Sequence, residues 1–449
     1  LTSHTFAQLA LQLDPWAAGA SAKAKAVSLP IPGTEERDYT VSVTQDSSLA
    51  PESFSLSVTA GAIDLKAADG RGALYAVNAL IQAHNTPDLE YFEAASSPRY
   101  PVRGFSFDIA RHFYTPAQIM QVIDIIAGYN INRLHLHLTD DQGWRIEIDG
   151  RQELTKIAAE NDTSGGKGGY LTFSDYEDIQ DYAALYGIEV VPEVDLPGHT
   201  NALLVAYPEI SPDKKPRQHY CGTDVGFSWI DLTSDKTWEV LDDIIGSLAR
   251  RTRSEYLHIG GDEVHQVGRE EYEKFMSRLA ELVTKHGKKV VAWHETAGAT
   301  VPEGTQLQFW TAKFNTDNVA KLVNDPNVMV IASPAPHTYF DLRPEDDFHI
   351  GVDWAGLLPL RNTFEWEPQE AVPVPDSKII GVEAAIWTEV IPTFEGLTAL
   401  ILPRIAGVAS VAWGSPRIYD EFTASLPSHG RVWAEQGYEF YRSPDVNWD

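Results

Sequence analysis

From about residue 102 onward, short apolar runs alternate with amphipathic stretches, and this alternation constrains the fold more than any other feature. Strands are predicted over residues 102–108, 132–138, 189–194, 256–259, 289–293, 306–310, 328–332 and 379–386. Helices are predicted between them over 116–129, 173–186, 236–251, 269–286 and 318–323, with a last helix over 400–411. Strands that alternate with helices pair in parallel, so the pattern predicts an α/β protein, a (β/α)8 barrel with insertions. An open doubly wound sheet would carry a glycine-rich phosphate loop after its first strand. Asp108-Ile109-Ala110-Arg111 has no glycine.

The first hundred residues differ in character. Residues 39–43 and 54–58 alternate as strands do, and 73–84 has helical spacing after the turn at Gly70-Arg71-Gly72. A small α+β accessory domain over 1–98 is expected, followed by the barrel over 99–449. The connecting stretch has Asn85-Thr86-Pro87 at one end and Ser96-Ser97-Pro98 at the other.

The net charge of −29, from 64 acids against 35 bases, argues against nucleic acid or an anionic membrane as partner. Neutral or cationic substrates fit it. The single cysteine, Cys221, excludes an intrachain disulfide and a thiolate metal cluster. No apolar run approaches a transmembrane length, and no signal peptide is recognised in this numbering. A mature secreted chain and a cytoplasmic one read alike here.

A barrel draws its functional groups from the C-terminal ends of its strands. The first predicted strand carries Arg103 and leads to Asp108, Arg111 and His112. The second runs through His135 and His137 to Asp140 and Asp141, and the third through Glu193 and Asp195 to His199. The fourth stops at Gly260-Gly261-Asp262-Glu263, the fifth at Trp293-His294-Glu295 and the sixth at Trp310. The seventh leads to Tyr339 and Asp341, and the eighth to Trp387-Thr388-Glu389. Glycine lets a strand break into a turn. Two adjacent acids beyond that turn repel one another, which with partial burial raises the pKa of one and suits general acid catalysis. Trp293, Trp310 and Trp387 singly read as core; at three strand ends they read as a walled pocket. Arg103 reads equally as a site residue or the partner of a barrel acid. His135 and His137 share one strand face, either as structural histidines or as a His-x-His metal pair completed by His199. Structural roles are expected, because no further ligands stand at the required strand ends.

These motifs together resemble the family 20 glycoside hydrolases, the β-N-acetylhexosaminidases. The resemblance rests on His258-Ile259-Gly260-Gly261-Asp262-Glu263, Arg103-Gly104…Asp108…Arg111-His112-Phe113 and Asn132-Arg133-Leu134-His135-Leu136-His137. Pro192-Glu193-Val194-Asp195-Leu196-Pro197-Gly198-His199, Trp293-His294-Glu295, Tyr339…Asp341…Trp354 and Trp387-Thr388-Glu389 follow in family order. It implies an exo-acting, retaining enzyme without metal or organic cofactor, whose substrate supplies its own nucleophile. By the same resemblance, Glu263 is the acid and then the base, Asp262 holds the acetamido N–H, and Tyr339 donates to the acetamido oxygen. The anionic Asp262 is expected to raise the pKa of Glu263 and keep its proton available. Trp293, Trp310 and Trp387 box the sugar, and Trp354 is the aglycone platform. Arg103, Asp341 and Glu389 hold ring hydroxyls, while His199 and Asp140 support Glu263. The implied partner is a small molecule or oligosaccharide ending in β-linked N-acetylglucosamine or N-acetylgalactosamine. Two departures stand out: Leu136 replaces a usual Trp, and Ser410 replaces a common acid. A metal-dependent barrel hydrolase and an inactive carbohydrate-binding scaffold are the competing readings. The intact Asp262-Glu263 pair speaks against the second.

Overall fold

The computed structural model describes residues 26–29, 37–84, 92–311 and 316–448. Asn85-Thr86-Pro87 lie outside the described residues. Near the N-terminus, five strands form a sheet in the order Ala26–Leu29, Arg37–Gln45, Ala62–Ala67, Phe54–Thr59, Phe92–Ser96. Alternation along Phe54–Thr59 buries Phe54, Leu56 and Val58 on one face. Helix Gly70–His84 covers that face with Ala73, Tyr75, Ala76 and Val77.

Eight parallel strands then close a barrel in sequential order. They are Val102–Asp108, Arg133–His137, Glu189–Glu193, Tyr256–His258, Lys289–Trp293, Thr305–Phe309, Val328–Ala332 and Ile379–Ile386. The sequence places each within a residue or two. The first strand is buried at every position, as parallel strands must be when helices cover one face and the barrel interior fills the other. Leu136 takes the helix-facing side of the second strand and is fully buried in the main core.

The last predicted helix is corrected. Residues 394–413 form two helices, Phe394–Ile401 and Arg404–Trp413, bent by 46°. Pro403 lacks the N–H that would continue the first helix and disfavours helical geometry at Leu402. Ser410 spends its hydroxyl on the Ala406 carbonyl, 2.8 Å away within its own helix. A further helix, Tyr419–Glu435, follows; Pro427 and a polar composition hide its periodicity in the sequence.

Arg103 also departs from its expected place. Strand parity opposes it to Asp108, so its side chain leaves the barrel at the end away from Glu263. Its Nη2 lies 2.8 Å from both Glu52 and the Tyr75 hydroxyl, and its remaining nitrogens donate to the carbonyls of Tyr100 and Asn130. The guanidinium sits 5.2 Å from the rings of Tyr75 and Trp413. Arg103 therefore fastens the N-terminal sheet and helix to the barrel and does not join the site. Arg103→Met should cost about 1–3 kcal/mol, because Glu52 loses its buried partner and keeps only the more exposed Arg71, 2.9 Å away. In denaturant titrations its midpoint falls, while KM measured well below the transition stays within about twofold of the parent.

Candidate active site

The fourth strand ends in a turn that only its two glycines permit. Gly260 and Gly261 have φ of 65° and 114°. A Cβ on Gly260 would lie 1.8 Å from Asp195 Oδ1, and one on Gly261 would lie 2.8 Å from the Tyr272 hydroxyl. The turn delivers Glu263 in left-handed backbone geometry, φ 52°, and His199 facing it has φ 53°. Such geometry is costly outside glycine and is held by its surroundings.

Asp262 and Glu263 share one cation, His199. Its Nε2 lies 3.7 Å from Asp262 and 3.4 Å from Glu263, while its Nδ1 lies 3.1 Å from Asp140. Burial would strip this imidazole of its proton. The charges of Asp140, Asp262 and Asp195 overcome burial and hold it well above the ordinary histidine range. The rise expected on Glu263 falls instead on its neighbour Asp262. Burial pushes its carboxyl up, His199 opposes, and the charge of Glu263 adds to the rise.

Aromatic rings wall the space beside these acids. Trp310 stacks on Tyr339 with centroids 6.4 Å apart, and Trp387 lies 5.9 Å from Tyr339 and 5.8 Å from Trp293. Trp354 is 45% exposed at the rim, with its ring 5.9 Å from Trp310. The loop with Tyr339 and Asp341 is held from below by Arg404. This buried guanidinium donates to the carbonyls of Phe340, Leu342, Leu358 and Leu400. Burial pushes the Asp341 carboxyl up to about 7, with the charge of Glu389 adding, against the Trp354 hydrogen bond and the charge of Arg404.

Arg111 stands where Arg103 was expected. It lies just beyond the first strand, 2.8 Å from Asp140, 3.2 Å from Asp108 and 3.3 Å from Glu389. Its guanidinium sits 5.3 Å from the Trp387 ring. The C-terminal position of Arg111 was a sufficient signal, because strand ends and not strand starts meet at a barrel mouth. Every other expected residue comes to this mouth: Asp140, His199, Asp262, Glu263, Trp293, Trp310, Tyr339, Asp341, Trp354, Trp387 and Glu389. Glu295, which the sequence places at the fifth strand end without a role, accepts the Trp310 indole N–H with Oε1 at 3.0 Å and fixes that wall.

The His135–His137–His199 metal reading finds no support in the geometry. Both nitrogens of His135 face carboxylates, Glu383 at 2.9 Å and Glu193 at 3.0 Å. Those of His137 face Glu193 and Asp140. Each ring thereby has two acceptors and donates from both nitrogens, which leaves no lone pair for a metal.

A barrel whose mouth combines two acids, a buried histidine cation and four tryptophans is built as a glycoside hydrolase. Residues 100–416 match the family described as glycosyl hydrolase family 20, catalytic domain. A β-N-acetylhexosaminidase of Cellulomonas fimi is 36% identical over 90% of this chain and 83% of its own. The solved N-acetyl-β-hexosaminidase of Streptomyces plicatus, in complex with Thio-NAglucal, is 35% identical. It superposes with a TM-score of 0.86 over 91% of this chain and 86% of its own. A mutant of that Streptomyces enzyme has been solved in complex with product (GlcNAc), with the same TM-score of 0.86. The chain belongs to glycosyl hydrolase family 20, the β-N-acetylhexosaminidases.

A pH dependence follows from Asp341. Below the ordinary carboxyl value of 3.8 both folded and unfolded chains hold its proton; between 3.8 and about 7 only the unfolded chain releases it. This carboxyl therefore costs stability increasingly as pH rises through that window. Asp341→Asn should raise the melting temperature more at pH 8 than at pH 5. An equal rise at both values would contradict the assignment.

Proposed function

We propose that Glu263 is the general acid and base in an exo-acting, retaining hydrolysis of terminal β-linked N-acetylglucosamine or N-acetylgalactosamine. The observation that carries this reading is the pairing of Glu263 and Asp262 around one histidine cation, beside an aromatic-walled mouth. In the first step, Glu263 gives its proton to the glycosidic oxygen. The C1–O bond breaks and the leaving group departs as an alcohol. The acetamido oxygen of the same sugar forms a bond to C1, giving an oxazolinium ion. In the second step, water adds to C1, its proton passes to the Glu263 carboxylate, and the acetamide is regenerated. Two displacements at C1 retain its configuration.

Asp262 accepts the acetamido N–H and faces the positive charge of the intermediate. Holding the nucleophile within the substrate replaces a bimolecular encounter by an intramolecular one. Tyr339 donates to the acetamido oxygen, and Trp293, Trp310 and Trp387 enclose the methyl group and sugar face. Trp354 supports the leaving group at the rim. Arg111, Asp341 and Glu389 are suited to the ring hydroxyls, Arg111 taking the part first given to Arg103. His199 and Asp140 hold the field behind Glu263. The division of the chain into an accessory unit over 1–98 and a catalytic unit over 99–449 belongs to the same proposal.

Glu263→Gln should lower hydrolysis of N-acetylglucosaminides whose leaving group needs a proton by about 100- to 10,000-fold, the usual worth of a positioned acid. Turnover within a few-fold of the parent would exclude this role. A thiazoline analogue of the intermediate should compete strongly with substrate. Weak or absent competition would argue against nucleophilic attack by the acetamide.

A further inference from the structure

Behind the acid pair, the interior of the barrel holds a run of alternating charges. Glu193, at the end of the third strand, is fully buried. Its Oε2 lies 3.0 Å from His135 Nε2 and is also bonded by His137 Nδ1. Its Oε1 accepts the Trp293 indole N–H at 2.8 Å and lies 2.9 Å from His258 Nδ1. The Trp293 bond, from the fifth strand, fixes the rotation of the carboxylate so that Oε2 faces His137. From there the run continues toward the mouth. His137 Nε2 meets Asp140 Oδ2 at 2.7 Å, Asp140 Oδ1 meets His199 Nδ1 at 3.1 Å, and His199 Nε2 stands 3.4 Å from Glu263.

We propose that Glu193 is a positioning residue for Glu263, acting through His137, Asp140 and His199. The proposal rests on the acid role of Glu263 given above. Asp140 has two acceptor oxygens and three cationic neighbours, Arg111, His137 and His199. How tightly it holds His199 depends on whether His137 carries a charge. His137 keeps that charge inside a dry barrel because Glu193 stands on one side of its ring and Asp140 on the other. Burial would raise the Glu193 carboxyl, yet His258, His137 and His135 hold it well below the ordinary range. Burial would likewise neutralise His137, and Glu193 and Asp140 hold it well above. The groups facing Glu193 are His135 and His137 from the second strand and His258 from the fourth. Asp195 stands two residues on, and Glu383 of the eighth strand lies behind His135.

The experiment compares Glu193→Gln with the parent on two substrates. One is a dinitrophenyl N-acetylglucosaminide, whose leaving group departs without a proton. The other is a β-linked N-acetylglucosamine disaccharide, whose leaving group needs one. The variant should lose about tenfold or more in kcat/KM on the disaccharide and less than about threefold on the dinitrophenyl substrate. Its alkaline limb on the disaccharide should move down by about one pH unit, because His137 without the anion releases its proton sooner. Adding Asp140→Asn to Glu193→Gln should cost little beyond Asp140→Asn alone, as expected of residues in one chain. Equal losses on both substrates with an unmoved pH limb, or no loss, would overturn the proposal. If Glu193→Gln does not fold, His137→Gln cuts the same chain one link nearer the mouth and should show the same split. Glu263→Gln, measured alongside, separates the two claims. If it lacks the leaving-group split, the acid assignment itself fails. A split in Glu263→Gln with none in either chain variant overturns the role of Glu193 alone.

Discussion

An ionised carboxylate buried at the mouth of a closed barrel is the constraint on which the site depends. Asp140 is buried and held well below the ordinary range; burial opposes its charge, and Arg111, His199 and His137 secure it. Those three partners come from the ends of the first, third and second strands. Leaving such a charge without its partners costs roughly 3–5 kcal/mol, so these strand ends are obliged to meet. Asp108 does the same for barrel closure. It accepts from the Thr388 backbone N–H at 3.0 Å and from Arg111 at 3.2 Å, tying the eighth strand end to the first. The bonds that close the barrel and the bonds that assemble the site are thus one set.

The carboxyls of the mouth divide into two groups by their neighbours. Asp140 and Glu193 each have three imidazole or guanidinium groups against them and are held well below the ordinary range. Asp195, Asp262, Glu295, Asp341 and Glu389 are all raised, in each case first by burial. A mouth crowded with acids that ionise reluctantly is suited to a reaction that develops positive charge. A cation at C1 favours the ionised form of those carboxyls and is stabilised by it in turn. His199 supplies enough positive charge in the free site to keep the acid pair from repelling itself apart.

Much of this was legible in the residues. The strand boundaries fell within a residue or two because apolar runs between helical stretches have little else to do. Gly260-Gly261 announced a turn, and its φ values and close approaches to Asp195 and Tyr272 are what only glycine tolerates. Arg103 could have been excluded from sequence, since it has the wrong parity relative to Asp108 and sits at the wrong end of its strand. The break at Pro403 is equally visible, although the apolar pattern runs through it. The helix Tyr419–Glu435 was harder, since Pro427 and Gly430 weaken its local propensity and tertiary packing alone secures it.

What the sequence by itself determined is the order of the elements and the residue types at each strand end. Hydrophobic period and glycine placement are local properties, and a barrel of consecutive parallel strands follows from them. Only the tertiary structure decided which of those polar groups become partners. The pairing of Glu193 with His137, of Arg111 with Asp140 and Glu389, and of Arg404 with the carbonyls around Asp341 joins residues far apart in the chain. So does the choice of Asp262 as the acid whose pKa burial raises. Charge balance in a dry interior is set by distance and burial. Neither exists until the barrel closes.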